Sequence, residues 1–150
     1  MKKKLDDHQD PYNLKRFLCA QEGIYSQVVV ELRSGRKLSH WMWYIFPQIE
    51  GLGFSEISMR FGIKSVEEAR QYLNHPVLGS RLKECTETVM DLEGRSATDI
   101  LGYPDDVKLR SSMTLFAYVS DDPDNVFVDV LNKYFNGFRD IRTIRLIAGK

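Results

Sequence analysis

Between residues 77 and 92, Leu78, Leu82, Cys85, Val89 and Leu92 recur at alternating four- and three-residue intervals. That spacing puts all of them on one face of an α-helix and divides them between the two faces of a strand. A stripe of this length has to be covered by other elements. Candidate partners recur along the chain at the same period: Leu14, Phe17, Leu18 and Ala20; Tyr25, Val28, Val29 and Leu32; Ala69, Tyr72 and Leu73; Leu109, Met113, Phe116 and Ala117; Phe127, Val130, Leu131 and Tyr134. No stretch shows convincing two-residue alternation, so the pattern predicts an all-α, compact single-domain bundle of about seven helices.

The punctuation between the stripes agrees. Asp10-Pro11 reads as a helix start with Asp as cap and Pro at the first helical position. Gly23 breaks that helix, and Gly35 ends the next one. The β-branched run Val28, Val29, Val30 also admits a strand, but Tyr25, Val28, Val29 and Leu32 fall at helical spacing. Ser65-Val66-Glu67-Glu68 has the form of a capping box. Ser96 caps a short helix, and Asp105 or Asp106 caps one running through Val119, on which Lys108, Arg110, Ser111 and Thr114 occupy the sectors away from the core stripe. The tail, 142–147, is apolar enough to dock.

Length and charge exclude several functions. A chain of 150 residues suits one domain, here a loose tail over 1–9 and a helical domain over 10–150. Lys plus Arg number 21, as do Asp plus Glu, which argues against nucleic acid polymers and anionic membranes as partners. Two cysteines are too few for a disulfide scaffold, and no apolar run approaches the ~20 residues that span a bilayer. The N-terminus starts positive but carries no apolar segment behind it, so a cytoplasmic protein is expected. His8, His40 and His75 are dispersed, so neither metal nor cofactor is expected.

Residues 35–53 carry the chemistry. Trp41, Trp43, Tyr44 and Phe46 place four aromatics within six residues, led in by Arg36, Lys37, Ser39 and His40 and followed by Pro47 and Gln48. The short run 40–46 fits a buried helical turn or a buried strand equally. Aromatic bodies beside polar groups are what a small-molecule pocket requires, and also what an anchored core segment looks like. His40 is the candidate general base; its alternative role is to position Trp41. Arg36 and Lys37 suit an anion or the preceding helix dipole. On the late helix, Arg110, Ser111 and Thr114 share a face near a helix N-terminus, and Ser112 is adjacent. This is a candidate anion site in which Arg110 would bind bidentately; back-bonding to the helix and an ion pair with Asp105 or Asp106 is the alternative. A Ser112, His40 and Asp106 triple has no support beyond its residue types.

These residues also carry a resemblance. Glu31-Leu32-Arg33-Ser34-Gly35-Arg36-Lys37, Ser39-His40-Trp41-Met42-Trp43-Tyr44-Ile45-Phe46-Pro47-Gln48, His75-Pro76-Val77-Leu78-Gly79 and Asp105-Asp106-Val107-Lys108-Leu109-Arg110-Ser111-Ser112-Met113-Thr114-Leu115-Phe116 resemble the bacterial domain-of-unknown-function 1810 family. Some of its members carry the label calpastatin. The resemblance covers residues from about 10 to 147 and implies a mainly α-helical fold with no established activity. A calpain inhibitor of that name is a long disordered chain, which this composition does not fit.

Two function classes follow. In the first, Arg36, His40 and Gln48 face Arg110, Ser111 and Thr114 across a cleft lined by Trp41 or Trp43, which binds or hydrolyses a small phosphorylated or nucleotide-like ligand. In the second, the chain is a non-catalytic protein–protein interaction module with exposed aromatics and arginines as hot spots. A concave Trp-lined cleft favours the first and a flat or convex apolar patch the second.

Overall fold

The computed structural model describes residues 9–149; the expected loose tail, apart from Gln9, lies outside the described residues. Among those described there are ten helices: α1 Lys15–Gln21, α2 Tyr25–Ser34, α3 Met42–Ile45, α4 Glu56–Phe61, α5 Val66–Asn74, α6 Leu78–Asp91, α7 Ala97–Leu101, α8 Asp105–Val119, α9 Val126–Phe135 and α10 Ile141–Ala148. The all-α expectation holds. The number exceeds seven because α3, α4 and α7 have only four, six and five residues, too short to show a stripe.

The stripe of α6 is buried as expected at Leu78, Leu82, Cys85 and Val89. It packs against α2, α3, α5 and α9. The second central helix, α8, contacts α5, α7, α9 and α10. With neighbours on so many sides it has no solvent sector in its middle turns: Ser111, Ser112, Thr114 and Leu115 are buried along with Leu109, Met113 and Phe116. The two-faced helix expected there is therefore enclosed nearly all round. Ring contacts run through the same core, Phe17 edge-on to Tyr72 at 5.0 Å, and Tyr72 to Phe116 at 5.5 Å and Phe116 to Phe127 at 5.9 Å, both tilted.

Helix ends follow local chemistry with three corrections. The first helix begins at Lys15 rather than at Pro11: Asp10 spans a turn, and its carboxylate accepts the N–H groups of Leu14 and Lys15 at 2.8 and 3.2 Å. At α5 only half of the capping box forms. Ser65 Oγ accepts the Glu68 N–H at 3.0 Å, but the Glu68 carboxylate takes Lys64 N–H at 3.1 Å and Arg16 at 2.7 Å instead. Neither Asp105 nor Asp106 caps α8, because both lie inside its first turn. Asp106 accepts the Thr98 hydroxyl at 2.6 Å, and Asp105 is used elsewhere.

The junction of α5 with α6 explains one glycine. A Cβ at Gly79 would lie 2.0 Å from the carbonyl oxygen of Leu73. The tight His75-Pro76 turn brings the two backbones to that separation, and His75 Nδ1 accepts the N–H groups of Val77 and Leu78 at 3.1 and 3.2 Å, closing the start of α6.

Candidate functional site

The segment that carries both tryptophans is hung on one acid. Glu31 lies on the buried face of α2 with Val28 and Leu32. Its Oε1 accepts the backbone N–H groups of Leu38 and Ser39 at 2.6 and 2.8 Å and the indole N–H of Trp41 at 3.0 Å. Its Oε2 accepts Ser39 Oγ at 2.7 Å and Gln27 Nε2 at 3.0 Å. Burial opposes the charge, but the bonds from Ser39, Leu38 and Gln27 outweigh it and hold the carboxyl down at about 2. Gly35 makes the turn possible: it sits at φ 80° and closes α2 in the left-handed conformation.

From this anchor the chain makes one helical turn, α3, which buries Trp41, Met42 and Ile45 and leaves Trp43 partly exposed. Pro47 stops the turn. Residues 48–50 then pair with Ile63: Gln48 C=O accepts the Ile63 N–H, and the Glu50 N–H donates to Ile63 C=O, both at 2.8 Å. This isolated parallel bridge, centred on Ile49 and Ile63, fixes the backbone of Gln48.

Lys37 joins the segment to α8. Its ammonium lies 2.9 Å from Asp105, 2.5 Å from the carbonyl oxygen of Ser39 and 5.0 Å from the centre of the Trp41 ring. Lys108 reaches the same Asp105 at 3.2 Å and sits 4.0 Å over the Trp43 ring. One carboxylate thus holds two ammonium groups, each over an indole, and the group as a whole keeps one positive charge.

Beside this cluster a cleft of about 240 Å³ opens between the 43–53 segment, the start of α8 and the start of α10. Trp43, Gln48 and Ser111, all expected at the site, line it together with Tyr103, Lys108 and Arg142. The guanidinium of Arg142 donates to the Leu52 carbonyl at 2.8 Å. Asp140 also borders the cleft, but its Oδ2 accepts Thr143 N–H at 3.0 Å, Thr143 Oγ at 2.5 Å and Ser111 Oγ at 3.1 Å. Its charge is spent capping α10.

The remaining expected residues have other places. Trp41 is fully enclosed on Glu31, and Ser39 is held by that carboxylate. Arg36 and His40 are exposed and outside the cleft lining. Arg110 Nη2 donates to the Arg139 carbonyl at 3.3 Å. Thr114 is buried, donates to the Arg110 carbonyl at 2.8 Å and accepts the Asp140 N–H at 3.0 Å. Ser112 is buried with no partner for its hydroxyl. Arg110 and Thr114 are therefore engaged by the 139–140 backbone and Ser111 by the Asp140 carboxylate. Among the described residues no cluster of His, Cys, Asp and Glu could hold a metal ion, and no helix is long and apolar enough to cross a membrane.

Residues 11–147 match the family described as "Protein of unknown function (DUF1810)". The chain belongs to this family. A solved structure, the conserved hypothetical protein Rv1873 from Mycobacterium tuberculosis, is 54% identical to it, covers 93% of this chain and 99% of its own, and superposes with a TM-score of 0.90. Among curated proteins none matches. Several segments that carried the resemblance to the DUF1810 family meet around the cleft: Glu31 and Lys37 from the first, Trp43 and Gln48 from the second, Asp105, Lys108 and Ser111 from the last. Sequence reasoning singled out neither Glu31 nor Lys108. The signals were present: a carboxylate at the i+3 position of the Val28 face, and an Asp105–Lys108 pair at i, i+3.

Proposed function

We propose that the cleft beside Trp43 binds a small phosphorylated or nucleotide-like ligand. The observation that carries this reading is the Lys108 ammonium held 4.0 Å over the Trp43 ring at the border of a 240 Å³ cleft that Arg142 also lines. An indole offers a face for a planar ring, and two cations offer partners for an anion. At about 240 Å³ the cleft is smaller than a typical ligand pocket and has room for only part of a mononucleotide, the rest lying in solvent. A hydrolytic step with His40 as general base would need its imidazole within hydrogen-bond reach of the ligand. His40 does not line the cleft, so the proposal stops at binding.

The test is a thermal-shift screen of nucleotides and sugar phosphates on the intact chain. A stabiliser is expected whose effect shrinks at high salt and disappears in Lys108→Ala and Trp43→Ala while both variants stay helical. No stabiliser, or one indifferent to both substitutions, would overturn the reading.

A second reading, an interaction module, is favoured by the exposed apolar side chains Phe54, Ile57 and Met59 around α4, which are 83%, 41% and 52% exposed. It predicts that Ile57→Asp changes a partner's binding and leaves ligand shifts unaltered.

A further inference from the structure

Gln48 is an anomaly in the lining of the cleft. Its side chain is more than nine-tenths buried, at 8% exposure, yet its Nε2 has no hydrogen-bond partner. Two other buried polar atoms among the described residues share that condition, Arg110 Nε and Ser112 Oγ, and neither residue lines the cleft. Buried amide donors are almost always satisfied, and an orphan costs stability that a neutral apolar side chain of the same size would not. A methionine or leucine at this position would fill the same space without that cost. A small void of about 10 Å³ behind the residue is bounded by Trp43, Gly51, Ser58 and Phe61, barely the room one water needs.

The carboxamide is also held in a particular way. Its backbone is locked by the pairing with Ile63, so Cα cannot drift from the cleft wall. The terminal torsion of a glutamine is broad and nearly two-fold, and no hydrogen bond holds Nε2 in place. A fixed stem with a free amide tip, beside an indole, is what reading the edge of a planar ring requires. A carboxamide presents a donor and an acceptor side by side. Its complement is a ring edge with an adjacent acceptor and donor, as in the N7 and N6–H2 pair of adenine.

We infer that Gln48 is the specificity-determining residue of the cleft and pairs with the amino and ring-nitrogen edge of an adenine-type base lying against Trp43. The inference rests on the reading of the cleft as a ligand site and narrows it: the base, and not only the phosphate, is recognised. Lys108 and Arg142 then take the anionic end, and Tyr103 at the mouth borders the ring or ribose.

Adenosine 5′-monophosphate and ribose 5-phosphate, titrated calorimetrically against the intact chain, decide it. The wild type should bind the nucleotide roughly ten-fold or more tightly than the sugar phosphate, within the discrimination a bidentate amide–base pair supplies. Gln48→Met, which keeps length and removes both hydrogen-bonding groups, should erase that difference by weakening the nucleotide toward the level of ribose 5-phosphate. Gln48→Leu, which also removes both hydrogen-bonding groups without adding charge, should do the same if the methionine variant does not fold. Equal binding of the two probes by the wild type, or a preference that survives both substitutions, overturns the role of Gln48 and leaves the anion cleft standing. If neither probe binds, this inference and the reading beneath it both fall.

Discussion

The indole N–H of Trp41 donates to a carboxylate oxygen of Glu31 at 3.0 Å, and both side chains are about 1% exposed or less. Ten residues separate the two in the chain. The bond fixes where the 35–53 segment leaves α2, and hence where Trp43 and Gln48 stand.

Replacing Glu31 by alanine should leave the N–H groups of Leu38, Ser39 and Trp41 without their common acceptor. Each buried orphan costs about 1–3 kcal/mol, so Glu31→Ala should lose about 3 kcal/mol or more in urea unfolding. Glu31→Gln retains one carbonyl oxygen for the same donors and should lose clearly less. Equal stability of the alanine variant and wild type would remove Glu31 from its anchoring role.

Acid should act through the same carboxyl. Its folded value is about 2 against an ordinary 4.5, so between those pH values the unfolded chain binds more protons and stability rises with pH. The contribution, about 3 kcal/mol, is complete above pH 4.5 and fades as pH falls through 2. Urea midpoints measured from pH 6 down to about 2.5 should fall more steeply for wild type than for Glu31→Gln. Parallel slopes would contradict this.

Gly79→Ala should destabilise the fold although alanine is the better helix former by about 1 kcal/mol. The added methyl meets the Leu73 carbonyl oxygen at 2.0 Å, and backbone cannot turn aside as a side chain does. Separating α5 from α6 should cost about 1–3 kcal/mol net, read as a lower urea midpoint. A gain in stability would show that the turn relaxes freely.

Cys85 should be inert. Burial, with Glu84 adding to it and Tyr25 opposing, pushes its thiol up to about 12, so almost no thiolate exists near neutrality. Cys19 is exposed. Iodoacetamide at pH 7.5 (about one unit below an ordinary thiol pKa) should label Cys19 alone in the native protein and both cysteines after unfolding, as counted by mass spectrometry.

If the cleft takes an anionic ligand, saturation at about 100 times its dissociation constant should stabilise the fold by ~2.7 kcal/mol, several degrees in melting temperature for a domain this size. Lys108→Ala should abolish that shift. Arg36→Ala should leave it intact, because Arg36 stands outside the lining. The opposite ranking would move the anion to the 35–40 turn.

What the chain settled locally was legible residue by residue. The stripe of α6, the left-handed Gly35, the serine caps at Ser65 and Ser96 and the termination of α3 at Pro47 each depend on neighbours a few positions away, and the family resemblance rode on the same segments. Helical period was therefore enough for the all-α architecture. It was not enough for the cleft. Ser111 and Thr114 read as part of a polar sector of α8, but whether a sector meets water depends on how α9 and α10 are rotated against it, which spacing within α8 does not encode. Lys37 read as a candidate anion partner beside Arg36 and Lys108 as one residue of a polar helix sector, and only folding brings both to Asp105. Glu31, one charge among many in the chain, became an anchor because five donors, one from α2 and four from the 38–41 segment, converge on its oxygens. Hydrogen-bond geometry of that kind is a property of packed elements, fixed over distances that local periodicity does not reach.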